Sequence, residues 1–171
     1  MATSAVLTAE QYLATNFGER EPEFVHGELV DRPMPTFAHA EAQAILVGLF
    51  RQLRRSHPVH GVTELRVRLG EDLFRIPDIV LYVGPRPTEA VPSMPPFVAV
   101  EITSPDDRHQ DLIKKLEEYV TWGVAHVWVV EPELRRLYVY NEGGLGQVNQ
   151  LALPEFGFQV TAAELFLEAT S

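Results

Sequence analysis

"RIPDIVLYV", from Arg75 to Val83, and "FVAVEITSP", from Phe97 to Pro105, decide how this chain is read. Both are apolar, β-branched runs of the kind that form strands inside a sheet. Each nevertheless carries a carboxylate, Asp78 at the opening of the first and Glu101 in the middle of the second. A carboxylate buried in such a strand is costly unless it is partnered. Strand alternation puts Glu101 on one face with Ala99 and Thr103, and Val98, Val100 and Ile102 on the other. Asp78 shares a face with Val80 and Tyr82. If the two strands are neighbours, the acids converge at one end of the sheet. Two unit negative charges about 4 Å apart repel by roughly 4 kcal/mol at an effective dielectric near 20. Such a pair needs a proton, a nearby cation or a metal. A hard divalent ion, Mg²⁺ or Mn²⁺, suits an all-oxygen site with one or two carboxylates.

Beyond the second strand, Leu112, Leu116, Tyr119 and Val120 define the inward stripe of a helix that ends at Gly123. Lys114 points away from that stripe. Lys115 lies on its margin, so its ammonium must run out along the surface or return to an acceptor such as Glu101. Asp106 or Asp107 is the expected cap. Upstream, "EFVHGELVDRP" reads as two short strands around Gly27, and Thr8 to Asn16 as a short helix with a Thr8–Gln11 capping box. "FAHAEAQAILVGLFRQLRRS" is the clearest helix, apolar at Ala42, Ile45, Leu46, Leu49, Phe50 and Leu53. "VTELRVRLGEDLFRIPDIVLYV" reads as two strands around a turn at Gly70 to Asp72. Downstream come strands at "HVWVVEP", "RRLYVYNE" and Val148 to Leu151, then a short helix capped by Thr161. The order implies an α/β (α+β) fold with one central sheet covered by helices, an N-terminal helix and a β-hairpin, in a single domain over residues 1–171.

The chain carries 24 acidic against 14 Lys and Arg residues, a formal net charge of −10. That balance opposes nonspecific attraction to nucleic acid or an anionic membrane. It is uneven, because residues 51–75 hold six arginines against three acids and are +3, leaving −13 elsewhere. A solvated helix end and strand face explains that patch as well as a phosphate track does. There is no cysteine, so no disulfide framework or thiolate site. No apolar run is long enough to span a bilayer, and the N-terminal residues lack a signal-peptide pattern. A cytoplasmic location is the expectation.

A proline–aspartate at one strand and a glutamate on the next is similar to the PD-(D/E)xK nuclease core. There, the acids hold Mg²⁺, and a lysine two positions after the second acid helps to activate water. Here that position is Thr103. Over nearly its whole length the chain resembles the Uma-type family of restriction-endonuclease-like proteins. The resemblance rests on "EFVHGELV", a following histidine at His39, "RIPDIVLYV", "VAVEITSP", "DLIKKLEEYVTWGVAHVWVVEP" and "LYVY" in this order. It implies a restriction-endonuclease-like mixed sheet, with the missing lysine supplied from the next helix at Lys115 and an N-terminal acid at Glu23. The residues expected to carry the chemistry are then Asp78 and Glu101 for the metal, with Lys115, Glu23 and His39 assisting. DNA is the expected substrate, and a homodimer is compatible with the fold.

Plainer readings stand beside these. Asp78 after Pro77 can simply open a strand, Glu101 can form a structural salt bridge to Lys115 or Arg75, and Lys115 can snorkel. His39 falls on the apolar face of its helix, where lone histidines are more often hydrogen-bonded core residues than ligands. A non-catalytic dimerising or nucleic-acid-binding module, and a hydrolase of a small phosphorylated substrate, are the rival functions.

Overall fold

The computed structural model describes residues 6–166. Helix α1 (Ala9–Ala14) starts at the Thr8–Gln11 capping box and buries Tyr12. Strands β1 (Glu23–Val25) and β2 (Glu28–Val30) follow. His26 and Gly27 join them, with φ of 52° and 90°. That is the backbone a two-residue hairpin turn requires, and glycine takes it without strain. Helix α2 (Phe37–Leu53) is capped by the Thr36 side chain and buries His39, Ala42, Leu46 and Phe50.

Next come β3 (Val59–Thr63), β4 (Val67–Arg68), β5 (Leu73–Arg75), β6 (Ile79–Val83) and β7 (Val98–Ile102). Helix α3 (His109–Trp122) leads to β8 (His126–Glu131), β9 (Arg136–Asn141), β10 (Gly144–Val148) and β11 (Gln150–Leu153). A short 3₁₀ turn precedes β12 (Phe158–Thr161) and α4 (Ala162–Leu165). The closing helix expected from the sequence runs on into residues outside the described range.

The central sheet is mixed, with order β10-β9-β8-β7-β6-β3. Its β7–β8 pair is parallel, and α3 makes the crossover between them. Helix α2 covers one face through Ala42, Leu46 and Phe50, which pack on Ile79, Leu81, Val98 and Val100. Helix α3 covers the other through Leu116 and Tyr119, against Ala99, Val127 and Val129. The hairpin belongs to a separate four-stranded sheet, β2-β1-β5-β4, whose small core joins Tyr12, Phe24 and Phe74.

Three expectations change. The two strands expected between Val62 and Val83 are four, split across two sheets. Glu64 takes a left-handed φ of 49° and turns the chain out of β3, while Ile76–Pro77 separates β5 from β6. Neither Asp106 nor Asp107 caps α3, since Arg108 holds the cap position without a side-chain bond. Asp107 instead accepts from the Ser104 N–H at 2.6 Å, closing a turn before the helix. The one strand expected at Val148–Leu151 is the end of β10 and the start of β11, which belong to different sheets.

Candidate active site

The register of β6 on β7 pairs Ile79 with Val100 and Val80 with Ala99. One step further along that register, Asp78 falls opposite Glu101. Both acids are buried, at 6% and 7% exposure, so their charges must be met from within. They line a cleft of about 270 Å³ that also takes in Glu23, Arg32, His39 and Lys115. The five residues singled out in the sequence therefore come together at one end of the central sheet, from β1, α2, β7, α3 and the position just before β6.

Asp78 uses one oxygen structurally, since Oδ2 accepts from the Ile102 N–H at 2.7 Å. Its Oδ1 faces His39 Nε2 at 3.4 Å and Arg32 Nη2 at 3.5 Å, neither of them a close hydrogen bond. Burial alone would raise this carboxyl. The His39 contact, the Lys115 charge and the Ile102 N–H outweigh it and hold the group below its ordinary range. The Asp78 carbonyl is fixed as well, by Gln43 Nε2 at 2.9 Å and the Glu64 N–H at 3.1 Å.

Glu101 behaves oppositely. Its Oε2 accepts from Lys115 Nζ at 2.9 Å and its Oε1 from the Tyr119 hydroxyl at 2.7 Å. Burial nevertheless pushes its carboxyl up to about 7, with Lys115 opposing and the charges of Asp78 and Glu23 adding to the rise. Lys115 also reaches Glu23 Oε1 at 2.8 Å, so its ammonium bridges two carboxylates. Burial would lower the lysine, but the charges of Glu101, Glu23 and Asp78 raise it and keep it protonated. Lys114, one residue earlier, is exposed.

Glu23 sits on the β1–β2 hairpin but is buried, unlike the solvent-facing glutamates common on hairpins. In the fold, β1 runs beside β5, and the Glu23 carboxylate accepts from the Ile76 N–H at 2.8 Å and from Arg75 Nη1 at 2.9 Å. Burial raises it, while Lys115 and Arg75 together bring it below its ordinary value. Arg75 is spent on Glu23 and on Glu118, at 2.7 Å and 3.0 Å, so Lys115 alone serves Glu101 of the two cations considered from the sequence. His39 is raised: burial opposes its charge, but Asp78 outweighs burial. Its Nδ1 is buried without a hydrogen-bond partner among the described residues.

Sequence reasoning missed Arg32, Gln43 and Tyr119. Tyr119 was read as core, correctly for its ring, and nothing in a helical stripe tells whether a tyrosine hydroxyl meets a strand carboxylate. Arg32 sits in an irregular segment before Pro33, where no periodicity assigns a direction. Its side chain is 8% exposed and lies 3.7 Å from Glu64 as well as 3.5 Å from Asp78.

As a metal centre, the donor set is two carboxylates on adjacent strands, with Asp78 Oδ1 not engaged in a close hydrogen bond. Hard oxygen donors of this number fit Mg²⁺ or Mn²⁺, which keep waters in the remaining positions. Among the described residues no group of three or more His, Cys, Asp and Glu side chains is placed to hold an ion. Arg32 and Lys115 meanwhile balance the acids internally.

No curated protein matches the chain. A crystal structure described as a putative nuclease belonging to DUF820, from Anabaena variabilis ATCC 29413, superposes with a TM-score of 0.82. The match has 20% identity and covers 94% of this chain and 97% of that one, which shows a shared fold. The Uma2 model, described as "Putative restriction endonuclease", matches residues 9–170. The chain, with its buried Asp78–Glu101 pair beneath a helix-borne lysine, belongs to the Uma2 family.

Proposed function

We propose that this chain is a divalent-metal-dependent endonuclease that hydrolyses DNA phosphodiester bonds, acting as one domain over its length. The observation that carries the reading is the placement of Lys115 Nζ between Glu101 and Glu23, at 2.9 Å and 2.8 Å, on the wall of an open cleft. A salt bridge that served stability alone would not need to face a cleft.

Asp78 and Glu101 would hold Mg²⁺ or Mn²⁺. Such an ion acidifies a water molecule and polarises the phosphoryl group. Lys115 supplies fixed positive charge where negative charge develops on the phosphoryl oxygens, with no reorganisation, because Glu23 already pins it. Tyr119 orients Glu101, and the Ile102 N–H orients Asp78. His39 faces Asp78 and is held toward its charged form, which suits charge balance better than proton abstraction near neutral pH. Thr103 stands where the related nucleases carry lysine, so Lys115 takes that part from the helix.

A second reading has its own observation. Each acid already has an internal cation, Arg32 for Asp78, Lys115 for Glu101 and Arg75 for Glu23. A non-catalytic module that keeps the cluster as a structural keystone accounts for this. Cleavage of plasmid DNA in Mn²⁺ at low salt separates the two. The endonuclease reading expects cleavage by the wild type, a loss on the order of 100-fold in Lys115→Ala, and none in Lys114→Ala. A wild type inert in Mg²⁺ and Mn²⁺ would leave the keystone module standing.

A further inference from the structure

The arginines concentrated between residues 51 and 75 separate in the fold into paired and, among the described residues, unpaired ones; of the latter, Arg55 is exposed and stands outside the groove that Arg51 and Arg54 line. Arg75 is locked between Glu23 and Glu118. Arg66 pairs with Glu21 and lies over the Tyr12 ring, and Arg68 lies over Phe74 and bonds the Gly70 carbonyl. Arg51, in the last turn of α2, and Arg54, at its C-cap, have no side-chain hydrogen bond or ion pair among the described residues. The same holds for Arg86, in the loop after β6.

Those three arginines are exposed and line one groove of about 740 Å³. The groove takes in His60 to Val62 of β3, the terminal strand of the six-stranded sheet. Glu89 also lines it, but its carboxylate is turned onto the Ser93 N–H and hydroxyl at 2.8 Å and 3.0 Å. A chain of net charge −10 thus keeps three guanidinium groups without an ion pair in one concavity, against the single carboxylate of Glu89. The guanidinium fork matches phosphate oxygens.

The groove and the acid cleft share no lining residue, but one short stretch of chain runs from one toward the other. Val62 and Leu65 line the groove, and between them Glu64 reaches Arg32, which reaches Asp78. We propose that this groove binds the phosphodiester backbone of a nucleic acid, reading charge and not bases, and holds one flank of a duplex whose neighbouring part lies in the Asp78–Glu101 cleft. The second half of that statement rests on the endonuclease reading; the first does not.

The test is fluorescence anisotropy of a labelled 20-base-pair DNA duplex in chelator, as a function of salt. Three phosphate contacts contribute a slope of about 2.7 in log affinity against log salt, or about 40-fold between about 50 and about 200 mM. The triple variant R51A/R54A/R86A is expected to lose that share of the salt dependence, and R51K/R54K/R86K to keep it. Cleavage is read separately in Mn²⁺, where Glu101→Gln is expected to be inert. Binding and slope unchanged in the triple alanine variant would overturn the groove proposal, even if cleavage is observed. Displacement of the duplex from the Glu101→Gln protein by a polyglutamate peptide at equal charge concentration would also overturn it, in favour of an acidic protein partner. Duplex binding through the three arginines without cleavage would sustain the groove and sink the endonuclease reading.

Discussion

Three buried carboxylates share one small region, and they do not titrate alike. Asp78 and Glu23 are held low by their cations, so the stability they confer is present above the ordinary carboxylate range and lost as pH falls through it. Glu101 is raised to about 7 by burial and by its acidic neighbours, so its contribution is present below that range and lost as pH rises through 7. Thermal melts in chelator should therefore climb from acid, peak near the ordinary carboxylate range, and decline from there to about pH 7, where only the folded state still holds the Glu101 proton. Glu101→Gln should flatten the upper decline and leave the acid limb in place, because the amide does not titrate. A decline of equal size in the variant would assign it to another group. Arg32 sets a second expectation at this scale. The sequence suggests two bare acids whose repulsion Asp78→Asn would relieve. In the structure Arg32 and His39 face Asp78, and the variant leaves them against a neutral amide. Asp78→Asn is expected to lose on the order of 1–3 kcal/mol in chelator by urea melts, and a gain in stability would restore the repulsion picture.

At the scale of elements, much of the site was legible. Strand alternation placed Glu101 with Ala99 and Asp78 with Val80, leaving their meeting conditional on the strands pairing, and the helical stripe from Leu112 to Val120 separated Lys115 from Lys114. Those inferences rest on periods of 2 and 3.6, which persist through a regular element. Periodicity does not reach irregular segments, so Arg32 and the turn at Glu64 were hidden. It also cannot say which strands pair. The placement of Glu23 beside Arg75 and Ile76 depends on β1 pairing with β5, some fifty residues away. The contrast between neighbouring lysines is checkable without any activity. Lys115→Met leaves Glu23 and Glu101 facing each other across a buried gap and is expected to cost about 3–5 kcal/mol, whereas Lys114→Ala should fall within about 0.5 kcal/mol of the wild type. Equal stabilities in denaturant would show that the lysine charge is not needed by its partners.

Over the whole molecule, two bodies of apolar packing meet across the acid cluster. The larger cores sandwich the six-stranded sheet, while Tyr12, Phe24 and Phe74 form a small aromatic core under the hairpin sheet. The Tyr12 and Phe24 rings stack with centroids 5.1 Å apart, and the Tyr12 hydroxyl donates to the Pro22 carbonyl next to Glu23. A small core of this kind opens at a lower free energy than a large one. Amide hydrogen exchange should show β1 and β5 opening before β7 and β8, and Tyr12→Ala should widen the difference. Uniform protection across both sheets would mean that the buried ion pairs weld them into one unit. The β7–α3–β8 crossover has a consequence for how the protein is made. Glu23, Arg32, His39, Asp78, Glu101 and Lys115 all precede β8. Much of the packing that seats α3, from Val127 and Val129 of β8 and Tyr138 and Tyr140 of β9, comes after α3 itself in the chain. At about 5–20 residues per second, a nascent chain carries every one of these charged groups for roughly one to five seconds before β8 and β9 exist to seat α3 and its lysine. During that interval the ribosome holds a complete set of parts and no assembled cleft, so competence arrives only with the last strands of the sheet.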